Sequence, residues 1–265
     1  MDEERQILLD IKGACAWVTL NRPKSLNTLS RKMLVELDHI IQSLEKNRSL
    51  SVLILRGSGK AFCAGMDIKD MAESEKGSFS LTKNSDPFSR LLHFPKPKIA
   101  AVNGLALTGG LEIVLTCDII IASKDAVFAD THGKFGFIPG GGMSQLLPRI
   151  IGEKKAKEIS LTGKFLSAQE ALELGLINRV VDHEELDAAA KEIADAILGC
   201  DQAAVQKMKW LIDKGMNLGL KEGLLMERRE FQKWIKKIDP KDIQEKMLSV
   251  MERGREQVEL KRRPV

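Results

Sequence analysis

Glu112 is the only carboxylate between Lys98 and Asp118, and it is set among Leu111, Ile113, Val114 and Leu115. A lone carboxylate in apolar surroundings is costly to ionise unless it is paired or hydrated, so its pKa is expected to rise. Thr108-Gly109-Gly110, just before it, reads as the opening of a helix. Glycines there let a ligand approach the backbone, and unpaired N–H groups can face an anion or a developing oxyanion. A proton-transfer group beside oxyanion donors is an active-site arrangement. The alternative is a helix N-terminal glutamate that caps its own backbone.

The elements that must position Glu112 are legible around it. A buried strand, Ile99–Val102, leads in and turns at Asn103-Gly104. Upstream, Ile7–Lys12 and Cys15–Leu20 read as a hairpin about Gly13-Ala14. Ser30 reads as the N-cap of a helix to about Asn47, with Met33, Leu34, Leu37, Ile40, Ile41 and Leu44 at helical spacing. Ser51–Arg56 reads as a buried strand. The loop Gly57–Asp70 is not a Walker motif, because Gly59-Lys60 lacks the following Ser/Thr and the upstream glycine spacing. Its Lys60 and Lys69 are candidates for phosphates or simply solvated. Residues 72–87 are polar and are expected to be a mobile segment or lid.

Strands at Asp118–Ala122 and Ala126–Ala129 follow, then Asp130-Thr131-His132-Gly133 and a glycine-rich loop, Gly136–Gly142, before a helix near Ser144–Ile150. Strand, helix, strand and glycine loop thus occur twice in about 150 residues, which suggests stacked ββα units. Beyond Gly152 the chain reads as helices broken by a short strand, Leu176–Val181, with a last helix from Pro240 into the basic tail Lys261-Arg262-Arg263. Apolar residues in those late, charged helices are expected to pack on a core or a partner subunit.

Composition narrows the classes. The 265 residues carry a net charge of +4, which suits an anionic small ligand and is too mild for a nucleic-acid binder. No apolar run approaches the roughly 18 residues a membrane span needs. The N-terminus, Met-Asp-Glu-Glu-Arg, lacks the order of a signal peptide. Cys15, Cys63, Cys117 and Cys200 show no CxxC spacing and read as reduced thiols of a cytoplasmic protein rather than as disulfides or a metal site. The chain has no tyrosine, so a phenol acid is excluded.

Several ordered motifs then become specific together: N-R-P-K-S-L-N-T-L (Asn21–Leu29), A-F-C-A-G-M-D-I-K (Ala61–Lys69), K-I-A-A-V-N-G-L-A-L-T-G-G-L-E (Lys98–Glu112), F-I-P-G-G-G (Phe137–Gly142) and the run Leu161–Val181. In these the chain resembles the crotonase (enoyl-CoA hydratase/isomerase) superfamily along essentially its whole length. The resemblance implies an α/β fold, a spiral of ββα units over residues 1–195, with a C-terminal helical region, 196–265, used in trimer contacts. It implies an acyl-CoA thioester as ligand, with coenzyme A entering as part of the substrate and no separate cofactor or metal. The implied assembly is a homotrimer or dimer of trimers, without nucleic acid or membrane.

By motif position, the resemblance puts the oxyanion hole on the backbone N–H groups of Met66 and Gly109. Lys60, Ala64, Asp67, Ile68 and Lys69 fall where the family shapes its CoA adenine site, Lys24 near the CoA phosphates, and Pro139 and Gly140 along the substrate. Hydratases of the family use two glutamates on one water. The first matches Glu112; the second position holds His132. An imidazole can act as acid or base near neutral pH, so the pair is consistent with hydration of a trans-2-enoyl-CoA. His132 can equally only orient substrate or water. The substitution also leaves open another thioester-enolate reaction (isomerisation, hydrolysis or C–C cleavage), though the family's isomerases rely on a glutamate there. A non-catalytic acyl-CoA binder is the third expectation. Met66, bulkier than the alanine common at its position, is expected to narrow the pocket.

Overall fold

The computed structural model describes residues 5–72 and 85–238, together with Met247 and Met251. Most of the stretch expected to be a lid, 73–84, lies outside the described residues. So do nearly all of the helix expected from Pro240 and the whole basic tail.

The chain opens with the hairpin β1 (Ile7–Lys12) and β2 (Cys15–Leu20), then α1 (Arg31–Lys46), β3 (Val52–Gly57), β4 (Ala61–Cys63), α2 (Ile68–Ala72) and α3 (Pro87–Leu92). The central passage is β5 (Lys98–Val102), β6 (Leu105–Leu107), α4 (Gly109–Leu115), β7 (Ile119–Ser123) and β8 (Val127–Ala129). Next come α5 (Met143–Ile151), α6 (Glu153–Thr162), β9 (Phe165–Ser167), α7 (Ala168–Glu173), β10 (Arg179–Val181), α8 (Leu186–Leu198), α9 (Gln202–Gly215) and α10 (Leu220–Ile235).

Among the described residues the strands form two sheets, ordered β1-β2-β3-β5-β7-β10 and β4-β6-β8-β9. β3, β5 and β7 pair in parallel in the first sheet, and the strands that follow them, β4, β6 and β8, pair in parallel in the second. Each turn of the chain therefore gives one strand to each sheet, which is the spiral that the repeated strand-helix pattern suggested.

Both faces of the first sheet are covered at β2, β3, β5 and β7, so these strands are buried along most of their length rather than alternating. Within β3, Leu53 and Leu55 belong to the main core with α1. Val52 and Ile54 point the other way, into a second core with Trp17, Ile99 and Ile121, closed by Leu186, Ala189, Ala190 and Ala194 of α8. α1 starts at Ser30, whose side chain accepts from the Met33 N–H at 3.1 Å. It ends against the buried Lys96, whose ammonium donates to the carbonyls of Leu44, Glu45 and Asn47.

The chain forms two compact units that divide at Lys209/Trp210, inside α9, whereas the sequence reading placed a boundary at residue 195. The shift has a physical reason: α8 closes the second core, and Lys209 at the middle of α9 donates to Asp118 at 2.6 Å. No helix among the described residues is long and apolar enough to cross a membrane.

The expected strand Leu176–Val181 shrinks to β10. Gly175 takes a left-handed conformation (φ +72°) after α7, and the Leu176 N–H turns back to the Ala171 carbonyl. Leu176 and Ile177 are thus apolar because they close a helix end, not because they pair.

Candidate active site

α4 carries Glu112 in its first turn, buried. Its carboxylate does not cap its own helix, so that alternative falls. Oε1 instead accepts from the N–H groups of Gly141 at 2.7 Å and Met143 at 3.3 Å, at the start of α5. α5 has no side-chain cap of its own, and the carboxylate supplies one from another element. Burial pushes the Glu112 carboxyl up; the two N–H groups and the neighbouring His132 pull the other way without cancelling it. The elevation expected from the apolar sequence is present.

His132 opens a 3-10 turn, His132–Phe135, directly after β8, and is buried. Its Nε2 lies 3.9 Å from Glu112 Oε2. That is too long for a hydrogen bond and short enough for one water to touch both atoms. Nδ1 is 2.7 Å from Asp130 Oδ1, and the same oxygen accepts the His132 backbone N–H at 3.2 Å. Asp130 and His132 meet through this turn, not through the regular strand that a two-residue spacing would need. Burial pushes the Asp130 carboxyl up, but hydrogen bonds from His132 and Ser160 outweigh it and hold it below its ordinary value.

The backbone beside this pair is unusually set. Thr108, ahead of α4, has φ +51° and ψ −113°, a region that a β-branched residue rarely enters. Its N–H is held by the Ala129 carbonyl at 2.9 Å and its hydroxyl by Thr131 at 2.6 Å, which keeps the strain in place. Gly109 follows with its N–H at the helix start. Leu29 pairs with Met66 as an isolated parallel bridge: the Leu29 N–H donates to the Gly65 carbonyl, and the Asp67 N–H to the Leu29 carbonyl. In such a bridge the Met66 N–H points away from Leu29. Among the described residues neither the Met66 nor the Gly109 N–H has an acceptor. The Met66 side chain lies over Gly109, where an added methyl would stand 2.9 Å from its sulfur.

A cleft of about 1070 Å³ joins these groups. Glu112, His132, Met66, Thr108, Phe88, Phe137 and Ile138 line it; Lys24, Lys32 and Lys69 add positive charge, while the charge of Arg22 is met by Asp67, and Asp70 is also present. Of the residues expected at the site, Glu112, His132, Met66, Lys24, Ala64, Asp67, Ile68, Lys69 and Gly140 line this cleft. Lys60 and Pro139 do not, and Gly109 sits behind Met66. The Asp67 carboxylate is engaged by Arg22 at 2.7 Å and by the N–H groups of Lys69 and Asp70, so its role is to fix the loop. These contacts hold its carboxyl low despite the opposing effect of burial. Sequence reasoning missed Arg22, Phe88 and the two N–H groups on Glu112; the glycine run 140–142 was the only available signal for the last.

The family model for enoyl-CoA hydratase/isomerase matches residues 10–260. The chain belongs to this family. The probable peroxisomal enoyl-CoA hydratase 1 of Arabidopsis thaliana is 42% identical to this member over 216 residues, 82% of this chain and 81% of the relative. The short-chain-enoyl-CoA hydratase of Clostridium acetobutylicum is 40% identical over 244 residues, covering 91% and 93%. Among solved structures, the enoyl-CoA hydratase of Bacillus anthracis superposes with a TM-score of 0.84 at 36% identity, over 94% of this chain and 97% of that one. The crotonase fold, with its parallel sheets and C-terminal helices, is therefore that of this family member too.

Proposed function

We propose that the protein is an acyl-CoA enzyme that adds water to a trans-2-enoyl-CoA. One observation carries the reading: a buried carboxylate and an imidazole face each other at 3.9 Å in the wall of a cleft that also holds Lys24, Lys32 and Lys69, near two backbone N–H groups without acceptors among the described residues. Hydrases named as relatives at about 40% identity support it.

The chemistry follows from these parts. When water attacks Cβ of the conjugated thioester, charge moves through Cα to the thioester oxygen. The N–H groups of Met66 and Gly109 receive that charge. One member of the Glu112/His132 pair takes a proton from water, and the other gives a proton to Cα. The competent pair holds one proton before and after the turnover, so atoms and charge balance. Coenzyme A enters as part of the substrate, and Lys24 and Lys69 offer cations to its phosphates. Assembly as a trimer or dimer of trimers, and a cytoplasmic location, belong to the same reading.

A non-catalytic binder gains nothing from a desolvated carboxylate held against an imidazole. Isomerisation is the second reading, because a pair sharing one proton can also move it between two carbons. It would show as conversion of a 3-enoyl-CoA to the 2-enoyl isomer. The deciding experiment follows the loss of enoyl-thioester absorbance from crotonyl-CoA. Wild type is expected to turn over, and Glu112→Gln and His132→Ala to fall by about 10²–10⁴-fold. A wild-type protein inert towards crotonyl-CoA and longer enoyl-CoAs sinks the hydratase reading.

A further inference from the structure

We propose that Asp130 is a positioning residue: it holds the His132 ring with Nδ1–H bonded to its carboxylate, so that Nε2 is the atom that exchanges the proton with water opposite Glu112. The inference rests on the hydration reading for its chemistry and on the geometry for its assignment.

A single oxygen, Asp130 Oδ1, accepts both the backbone N–H and the ring Nδ1 of His132, at 3.2 and 2.7 Å. The first bond fixes the turn; the second fixes the ring within it. Asp130 is only 2% exposed, so water does not compete for the carboxylate. The Ser160 hydroxyl of α6 is near the same carboxylate and favours its charged form. A neutral imidazole carries one N–H, and a carboxylate at Nδ1 keeps it there, which leaves the Nε2 lone pair facing Glu112. A glutamate at the position of His132 would need no such partner, because both its oxygens accept. The imidazole has two unlike nitrogens and works only in one tautomer and one ring orientation.

The carboxylate also acts through its charge. Among the described residues, the charged groups facing His132 are Glu112 from α4 and Asp130 from its own loop; α6 presents the Ser160 hydroxyl, and Lys134 is turned towards Gly163. The competent Glu112/His132 pair carries one proton. The fixed negative charge of Asp130 favours the protonated form of the Glu112 carboxyl, so removing that charge moves the Glu112 limb of the activity profile to lower pH.

Asp130→Asn tests this, because its amide oxygen can still accept from Nδ1 while the charge is gone. With crotonyl-CoA, kcat is expected to fall on the order of 10- to 100-fold, a part of the full acid–base contribution. KM should stay within about threefold, and the Glu112 limb of the pH profile of kcat/KM should move to lower pH. Unchanged kcat with an unmoved profile, or a loss confined to KM, overturns the proposal. A second measurement depends neither on activity nor on the Asp130→Asn variant. In ¹⁵N-labelled wild type, the His132 signals, assigned by their absence from the His132→Gln spectrum, should show the Nδ1–H form when the ring is neutral. The Nε2–H form overturns the proposal. If wild type does not hydrate crotonyl-CoA, the hydratase reading fails alone, and the tautomer still decides the role of Asp130.

Discussion

Glu112 serves two neighbours with one side chain. Oε1 completes the start of α5 and Oε2 faces the imidazole. The first is a structural task that an amide oxygen can also perform; the second needs a proton that can leave. The two separate in stability. Burial holds the Glu112 carboxyl above its ordinary value in the folded chain. The neutral acid therefore carries no penalty below the carboxylate range, and stability is lost relative to the unfolded chain as pH rises through the elevated value. Glu112→Gln has no proton to lose. Its melting temperature should gain on that of wild type as pH is raised from about 4 to about 8, even as its activity collapses. Melting temperatures that track each other over this range would show that the carboxyl ionises without cost. The burial of Glu112 was legible in the sequence because its neighbours in the chain are apolar. The contacts on it were not, because Gly141 and His132 reach it from other turns of the spiral.

The elements around the site are more constrained than their length suggests. The glycine loop before α5 brings Gly141 so close to Glu112 that a methyl there would stand 2.6 Å from Phe88 Cδ1 and 2.9 Å from Glu112 Cδ. Both neighbours are pinned, Phe88 on α3 in the core and Glu112 by the N–H of Gly141 itself. Gly141→Ala must push one of them aside. We expect a loss of about 1–3 kcal/mol in stability from overpacking, and at least a tenfold loss in kcat as Glu112 leaves His132. Denaturant melts and crotonyl-CoA kinetics read the two separately, and wild-type values in both would refute the crowding. The helices were legible at this scale because a 3.6-residue stripe repeats over several turns, as in α1. The strands β4, β6 and β9 were not: three residues do not establish an alternation, Ala61–Cys63 read as part of a loop, and Leu105–Leu107 follow a turn at Asn103-Gly104 with no pattern of their own. Yet β6 is what delivers Thr108 to the cleft wall, with Gly109 next to it behind Met66, so the second sheet carries the side of the site where the oxyanion hole is proposed.

At the scale of the whole molecule, the C-terminal unit presents an apolar face. α10 exposes Leu220, Leu224, Phe231 and Ile235, all more than half or about half open to solvent. Their spacing of four, seven and four residues places them on one stripe of the helix. Leu225 is open on the neighbouring position, and Met216 and Leu218 precede them. An apolar stripe of this length is what a subunit contact covers, and monomeric proteins rarely leave one in water. The assembly proposed above gives it an occupant, a second and third copy of the chain. Light scattering after size exclusion should then return about 88 kDa, three times the 29.4 kDa chain, or twice that for a dimer of trimers. Leu224→Glu with Phe231→Glu puts charge on the stripe and leaves the cleft residues unchanged in sequence, and should reduce the mass towards that of one chain while the spiral unit keeps its helical and strand signal. A wild-type mass of 29.4 kDa would mean that the stripe is covered within one chain, and that the assembly part of the reading is wrong. If the double variant dissociates and still hydrates crotonyl-CoA at the wild-type rate, the chemistry belongs to the single chain, as the confinement of Glu112, His132, Asp130, Met66 and Gly109 to the unit ending at Lys209 implies.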